Sequence, residues 1–107
     1  AGGADSALQQ VCQALVDDPG DSATAAEWAS RLAIGDKTFQ RRFLQATGMT
    51  FGRWRQQLRL MSSLTLLLQG LPIIQVALAC GYDSHSAYST AFRKQFGQTP
   101  SAFVATR

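Results

Sequence analysis

Apolar residues recur along this chain at intervals of three and four, never in the alternation of a strand, and Gly and Pro fall between the periodic segments. The pattern predicts an all-α fold of seven helices. The first runs from about Asp5 to Asp17, with Leu8, Val11, Cys12, Leu15 and Val16 on one stripe, and Pro19-Gly20-Asp21 ends it. The second starts near Thr24, which forms a capping-box pattern with Glu27, and carries Trp28, Ala29 and Leu32. The third begins around Asp36, buries Phe39 and Phe43, and closes at Gly48. The fourth is long, about Thr50 to Gln69. Phe51, Trp54, Leu58, Met61 and Leu68 line one side of it, and Leu60, Leu64, Leu67 and Leu71 widen the stripe. Pro72 suits the first position of the fifth, whose apolar residues are Ile73, Ile74, Val76, Ala77 and Leu78, and Gly81 breaks it. The sixth is capped by Asp83 or Ser84, turns Tyr88, Phe92 and Phe96 inward, and ends at Gly97. Thr99 caps a short seventh helix that Pro100 opens and that contains Phe103.

The chain nearly repeats itself. Phe39-x3-Phe43-x4-Gly48-x-Thr50-x3-Trp54 matches Tyr88-x3-Phe92-x4-Gly97-x-Thr99-x3-Phe103 at an offset of 49, and Ala29-x4-Ile34 matches Ala77-x4-Tyr82 at an offset of 48. Helix periodicity does not explain matched glycines and threonines, so we read a duplicated unit whose second copy has one extra residue in its turn. In each copy a small residue (Ala29 or Ala77) lets two helices approach, an apolar residue (Ile34 or Tyr82) plugs the turn, and aromatics four apart anchor the second helix. This is the logic of a helix-turn-helix, whose second helix enters a major groove. The first unit is expected at about residues 5–49, a linker helix at about 50–69 and the second unit at about 72–105, within one domain of residues 5–107.

Charge sharpens this picture. Residues 1–36 hold six acids and one base, a net of −5, whereas residues 37–107 hold nine bases and one acid, a net of +8. Such polarity suits a polyanionic partner, although a solvated charged surface would give it too. Cys12 and Cys80 have no His or Cys at metal-ligand spacing and sit among apolar residues. They read as buried thiols in a reducing compartment, with a disulfide as the alternative. The Leu64–Leu68 run is too short to span a bilayer, and core burial explains it. Without an initiator Met, and with an opening Ala1-Gly2-Gly3 of the kind cloning leaves, the chain reads as a fragment of a longer protein.

If Phe39 and Phe43 anchor the third helix, Lys37, Gln40 and Arg41 fall on one exposed face near its N-terminal half. Arg and Lys donate to guanine O6 and N7, and Gln pairs with adenine, so these three are the expected base readers. The sixth helix offers His85, Ser86, Ser89 and Thr90, a less charged set that anchors more than it discriminates. Thr38, Arg42, Arg53, Arg55, Arg93 and Lys94 are candidate phosphate contacts. A plain surface charge stays open for Arg42, and salt bridges to the acidic N-terminal helices stay open for Arg53 and Arg55. About twenty residues of fourth helix span ~30 Å, close to the ~34–36 Å at which major grooves recur on one face of a duplex. We therefore expect two reading helices in successive grooves, with the DNA bent somewhat toward the protein.

The residues now carry a family likeness. The stretch Arg59-Leu60 through Leu67-Leu68, then Ile74-x-x-Ala77-x3-Gly81-Tyr82-x3-Ser86-x-Tyr88-x3-Phe92-x4-Gly97-x-Thr99-Pro100, resembles the AraC/XylS family of bacterial transcription regulators. Trp28-Ala29, Phe39-x-x-Arg42-Phe43, Gly48 and Trp54-Arg55-x3-Leu58-Arg59-Leu60 are similar to the family's first half. The resemblance implies seven helices, with the third and sixth reading adjacent major grooves of double-stranded promoter or operator DNA. It places the first base-reading set on Lys37, Gln40 and Arg41, and the second on His85, Ser86, Ser89 and Thr90. It further implies a contact with RNA polymerase, a separate N-terminal effector-binding or dimerisation domain, and a bacterial cytoplasmic, nucleoid-associated protein. Three positions depart from the family pattern. Thr90 stands where many members have Arg, Gly35 replaces the usual capping Ser, and Phe103-Val104 replaces a common Tyr-Arg.

The alternative is a helical protein-interaction module that keeps the fold without specific DNA contacts; exposed aromatics or Met on the Lys37/Gln40/Arg41 face would favour it. An enzyme is not expected. His85 is the only His, and no acid-base or nucleophile set accompanies it. No cofactor, metal or membrane partner is expected, and the cysteine count excludes a Cys-rich metal segment of the kind found in DNA-repair relatives.

Overall fold

The computed structural model describes residues 3–106, with side chains from Ser6 onward. Ala1 and Gly2 of the opening tail, the Asp5 side chain at the expected start of the first helix, and Arg107 of the basic half lie outside the described residues. Among those described there are seven α-helices and no strand: α1 (Gly3–Asp17), α2 (Ala25–Arg31), α3 (Asp36–Thr47), α4 (Phe51–Leu68), α5 (Ile73–Ala79), α6 (His85–Phe96) and α7 (Pro100–Thr106). The chain divides into two compact units, and the division falls inside α4, between Gln56 and Gln57.

In the first unit, Thr24 caps α2. Its Oγ accepts from the Glu27 N–H at 3.1 Å, and its hydroxyl lies 3.4 Å from Glu27 Oε1. Leu8, Val11 and Leu15 of α1 are buried, as are Ala23, Ala29, Phe39, Phe43 and Phe51. Phe39, Phe43 and Phe51 pack with ring centroids 5.4–5.9 Å apart, and Trp54 meets Phe43 edge-on at 5.6 Å. Each such pair adds about 0.5–1.5 kcal/mol beyond its area burial. Two α1 residues depart from the expected stripe: Val16 is exposed and Cys12 is half-buried. Val16 lies at the stripe's margin, roughly 100° around the helix from Leu15.

The second unit is built around Leu60, Leu67, Val76, Ala77, Cys80, Tyr88 and Phe92, with Phe96 and Phe103 packed against them. Tyr88 meets Phe92 at 5.7 Å, and Phe92 meets Phe103 edge-on at 5.9 Å, the counterpart of the Phe43–Trp54 pair. Ser84 caps α6, its Oγ accepting from the Ala87 N–H at 3.0 Å, while Pro72 stands just before α5 rather than inside it. Ser63 is buried because its hydroxyl donates to the Leu60 carbonyl at 2.6 Å, which satisfies it within the helix. Cys80 is buried and, like Cys12, a free thiol.

The single stripe expected along α4 is corrected. Met61 and Leu68 are exposed, while Leu60, Ser63 and Leu67 are buried. The helix contributes to two cores, one per unit, and a stripe drawn straight along it mixes the two sets. On α5, only Val76 and Ala77 are buried; Ile74 and Leu78 face outward, as does Leu71 before the helix.

The repeat is visible in single hydrogen bonds. α3 and α6 both have 12 residues, and both end on a left-handed glycine, Gly48 at φ 78° and Gly97 at φ 79°. Thr50 Oγ accepts from the Arg53 N–H at 3.3 Å, and Thr99 Oγ from the Ala102 N–H at 3.2 Å. In the turns, the Ile34 N–H donates to the Ala29 carbonyl at 3.0 Å, and the Tyr82 N–H to the Ala77 carbonyl at 2.9 Å. The residue before each plug has a positive φ: Ala33 at 59° and Gly81 at 90°.

Candidate nucleic-acid interface

α3 is held by the sequence that surrounds it. Phe39 and Phe43 are fully buried, four residues apart, which fixes the rotation of the helix about its axis. α2 packs against it, and Ala29 is the small buried residue that α2 carries. With the helix so fixed, Lys37, Gln40 and Arg41 are exposed, as is Leu44 one turn further on. At about 100° per residue these four fall within one arc. Leu44 escapes a search for polar readers, although its place seven residues after Lys37 puts it in line with them. An exposed apolar side chain there suits the methyl group of thymine.

The six candidate phosphate residues separate by environment. Thr38 and Arg42 are half-buried, while Arg53, Arg93 and Lys94 are exposed. Arg55 is turned into the first unit. Its guanidinium lies 4.8 Å from the Phe51 ring centroid and donates to the backbone carbonyls of Asp21 (3.4 Å) and Ala23. Arg55 thus ties the segment between α1 and α2 to α4, a buttress of the kind weighed for it, and we withdraw it from the phosphate set.

α6 is anchored through Tyr88 and Phe92 and exposes His85, Ser86 and Thr90, with Ser89 half-buried. Ser89 Oγ lies 3.4 Å from His85 Nδ1. Arg93 occupies the position equivalent to Leu44, so the line of Ser86, Ser89 and Thr90 ends on a cation. Both Arg93 and Lys94 lie in the last turn, where the helix dipole favours positive charge.

The turn before α6 is set by Gly81. A β-carbon built there would lie 2.7 Å from Arg59 Cζ, and Arg59 Nη1 is 3.5 Å from the Gly81 carbonyl. Burial pushes the Cys80 thiol and the Tyr82 phenol up, while the Arg59 guanidinium nearby opposes both shifts. Burial also pushes Tyr88 up to about 12. The Tyr88 hydroxyl is buried beside Ser63, whose side chain opposes that rise. Among the described residues, no three His, Cys, Asp or Glu side chains group to hold a metal ion, and no helix is long and apolar enough to cross a membrane.

Comparison with known proteins agrees with this geometry. Residues 28–106 match the model of a helix-turn-helix domain family. The transcriptional regulator NimR of Escherichia coli K12 is 33% identical over 98 residues, covering 92% of this chain and 36% of NimR. The chain spans about a third of the length of the curated relatives it matches. Among solved structures, the DNA-binding domain of the global transcriptional factor AdpA, in complex with a target DNA, superposes with a TM-score of 0.87 at 28% identity, over 92% of this chain and 90% of that one. A transcriptional regulator of Chromobacterium violaceum, of a group named for its AraC-type DNA-binding domain, gives 0.83 at 25% identity, over 96% and 93% of the two chains. With its matched pair of turn-linked helices and their outward polar faces, the chain belongs to the AraC-type helix-turn-helix domain family.

Proposed function

We propose that this chain binds double-stranded DNA in a sequence-specific manner, as the DNA-reading domain of a bacterial transcriptional regulator. The observation that carries this reading is the exposed arc of Lys37, Gln40 and Arg41 on a helix whose opposite side is locked by two buried phenylalanines. That arc combines bidentate donors for guanine with an amide for adenine. Within one domain of residues 5–107, α3 and α6 each enter a major groove, and the two grooves are successive. Lys37, Gln40 and Arg41 read bases from α3. His85, Ser86, Ser89 and Thr90 contact bases from α6 with less discrimination. Thr38, Arg42, Arg53, Arg93 and Lys94 contact phosphates.

Family membership supports the wider setting. The whole regulator contacts RNA polymerase, carries an N-terminal effector-binding or dimerisation domain, and works on the nucleoid in the cytoplasm. This domain itself performs no catalysis and takes no cofactor. The aromatics or Met that would favour the protein-interaction alternative are not exposed on α3, where the exposed large apolar residue is Leu44; Met61, Leu68, Ile74 and Leu78 lie on α4 and α5.

The test is to select bound duplexes from a random pool and align the winners. Two conserved half-sites about one helical turn apart are expected. Affinity for the selected duplex should fall steeply with salt as phosphate contacts release counterions. A pool with no enriched sequence, or a flat salt response, would overturn the reading in favour of the protein-interaction module.

A further inference from the structure

The residues at equivalent positions of the two reading helices are each tied to the first residue of their own helix. In α3, Gln40 Nε2 donates to Asp36 Oδ1 at 2.9 Å. In α6, Ser89 Oγ lies 3.4 Å from His85 Nδ1. Asp36 corresponds to His85, and Gln40 to Ser89, under the offset of 49. The same tie across one helical turn is built twice, from different chemistry.

In α3 the tie has a direction. An ionised carboxylate only accepts hydrogen bonds, so the end of the Gln40 amide that faces Asp36 must be its NH2 group. The amide cannot turn over without setting its oxygen against a carboxylate. Oε1 and the second N–H are left for a partner in one fixed order. Adenine offers N6–H as donor and N7 as acceptor, which that order satisfies; guanine offers two acceptors, O6 and N7, and Oε1 would oppose one of them. A free glutamine would also have to give up its rotamer freedom on binding, a loss that a pre-set one avoids.

We propose that Asp36 is a positioning residue that fixes the amide of Gln40 and so sets a preference for adenine at one base pair. The proposal rests on α3 being the DNA-reading helix. Asp36 is itself exposed and negative, so it repels phosphate whatever the sequence. Removing it should therefore act in two directions, which a mere loss of structure would not do. General affinity should rise while discrimination at one position falls.

The experiment uses the whole chain and the duplex obtained from the random-pool selection, with all four base pairs placed in turn at each position. Gln40→Ala first identifies the position that Gln40 reads, as the one where its preference is lost. At that position, Asp36→Ala and Asp36→Asn should each reduce the preference for adenine about two- to tenfold, the scale of immobilising one rotamer-rich side chain. Preferences elsewhere should hold, and affinity for random-sequence duplex should rise. Asn is included because it keeps the shape and an acceptor but lets the amide turn over. In the Gln40→Ala background, Asp36→Ala should change no preference. Circular dichroism confirms the fold of each variant. An unchanged preference in the folded Asp36 variants, or equal weakening on every duplex, overturns the positioning role alone. A Gln40→Ala variant that keeps every preference overturns it as well, by removing Gln40 as a reader. A wild-type chain that prefers no duplex overturns the DNA-reading function itself.

Discussion

α3 carries Lys37, Gln40, Arg41 and Leu44 where α6 carries Ser86, Ser89, Thr90 and Arg93, yet beneath these sets Phe39 and Phe43 match Tyr88 and Phe92. The inward half of the unit answers to packing, and packing admits few solutions. Two aromatics four apart, a small residue on the partner helix and a left-handed terminal glycine recur in both copies. The outward half answers to a ligand, and there the copies part. The supports differ as well. Copy one caps its first helix with the Thr24 side chain and leaves α3 on Gly35, which offers none; copy two leaves α5 on Pro72 and caps α6 with Ser84. A scaffold can thus be duplicated almost bond for bond while each copy keeps its own reading surface and its own helix-end chemistry.

The widest test of the shared scaffold is to remove an equivalent ring from each copy. Phe43→Ala and Phe92→Ala should each destabilise the chain by about 3–5 kcal/mol in urea unfolding, because both rings are fully buried among other aromatics. Markedly unequal losses would show that the two cores are not equivalent.

Alkaline pH should separate the copies next. Tyr88 keeps its proton in the folded chain up to about 12, whereas in the unfolded chain it ionises near its ordinary value of 10.0. The folded pKa is the higher one, so the stability it supports is complete below pH 10 and is lost as pH rises toward 12. The loss is on the order of 2 kcal/mol. The first copy has Phe39 at the equivalent place, with nothing to ionise. Urea midpoints at about pH 9 and pH 11 should diverge in the wild type and diverge less in Tyr88→Phe; Cys80 and Tyr82, both also raised by burial, account for the remainder.

On the reading faces, Arg41→Ala should weaken binding to the selected duplex by about 1–3 kcal/mol and relax preference at one base pair, whereas its counterpart Thr90→Ala should fall below that range. Thr90→Arg should sharpen the second half-site, read as stronger discrimination in a four-base binding panel. Equal effects of Arg41→Ala and Thr90→Ala would mean that the two faces contribute alike.

The smallest effect lies in the turns, and it carries opposite signs. Gly81→Ala adds a β-carbon at φ 90° against Arg59 and should destabilise by about 1–2 kcal/mol. Ala33→Gly relieves a left-handed alanine at φ 59° and should stabilise by up to about 1 kcal/mol. Thermal unfolding of the two variants reads both.

Much of the architecture was legible in the residues because it rests on local rules. Thr24, Ser84 and Thr99 cap where their spacing to the next backbone N–H predicts, and the offsets of 49 and 48 reappear as matched hydrogen bonds. Three things were not legible, each for a physical reason. α4 buries Leu60, Ser63 and Leu67 but exposes Met61 and Leu68, because periodicity gives a helix's faces and not which of several cores will take them. Arg55 reads as any basic residue in a basic helix; only the fold brings the Asp21 and Ala23 carbonyls to its guanidinium. Ala33 gives no composition signal for a left-handed turn, although Gly81 at the same place in the second copy points to one. On α3, the exposed polar residues Lys37, Gln40 and Arg41 were evident from their spacing to Phe39 and Phe43, whereas Leu44 and the tie from Asp36 to Gln40 emerge only once the helix has been rotated into place.

The bare Gly35 at the head of α3 also bears on how tightly that helix is wound at rest. With no side-chain oxygen to receive them, the amide hydrogens of its first turn rely on water, and they should exchange with deuterium sooner than those at the head of α6, where Ser84 holds the Ala87 N–H. Any such opening at the head of α3 is spanned and limited by the bond from Gln40 to Asp36, so the first turn of one helix is pinned by a side chain from within it and that of the other by the residue in front of it.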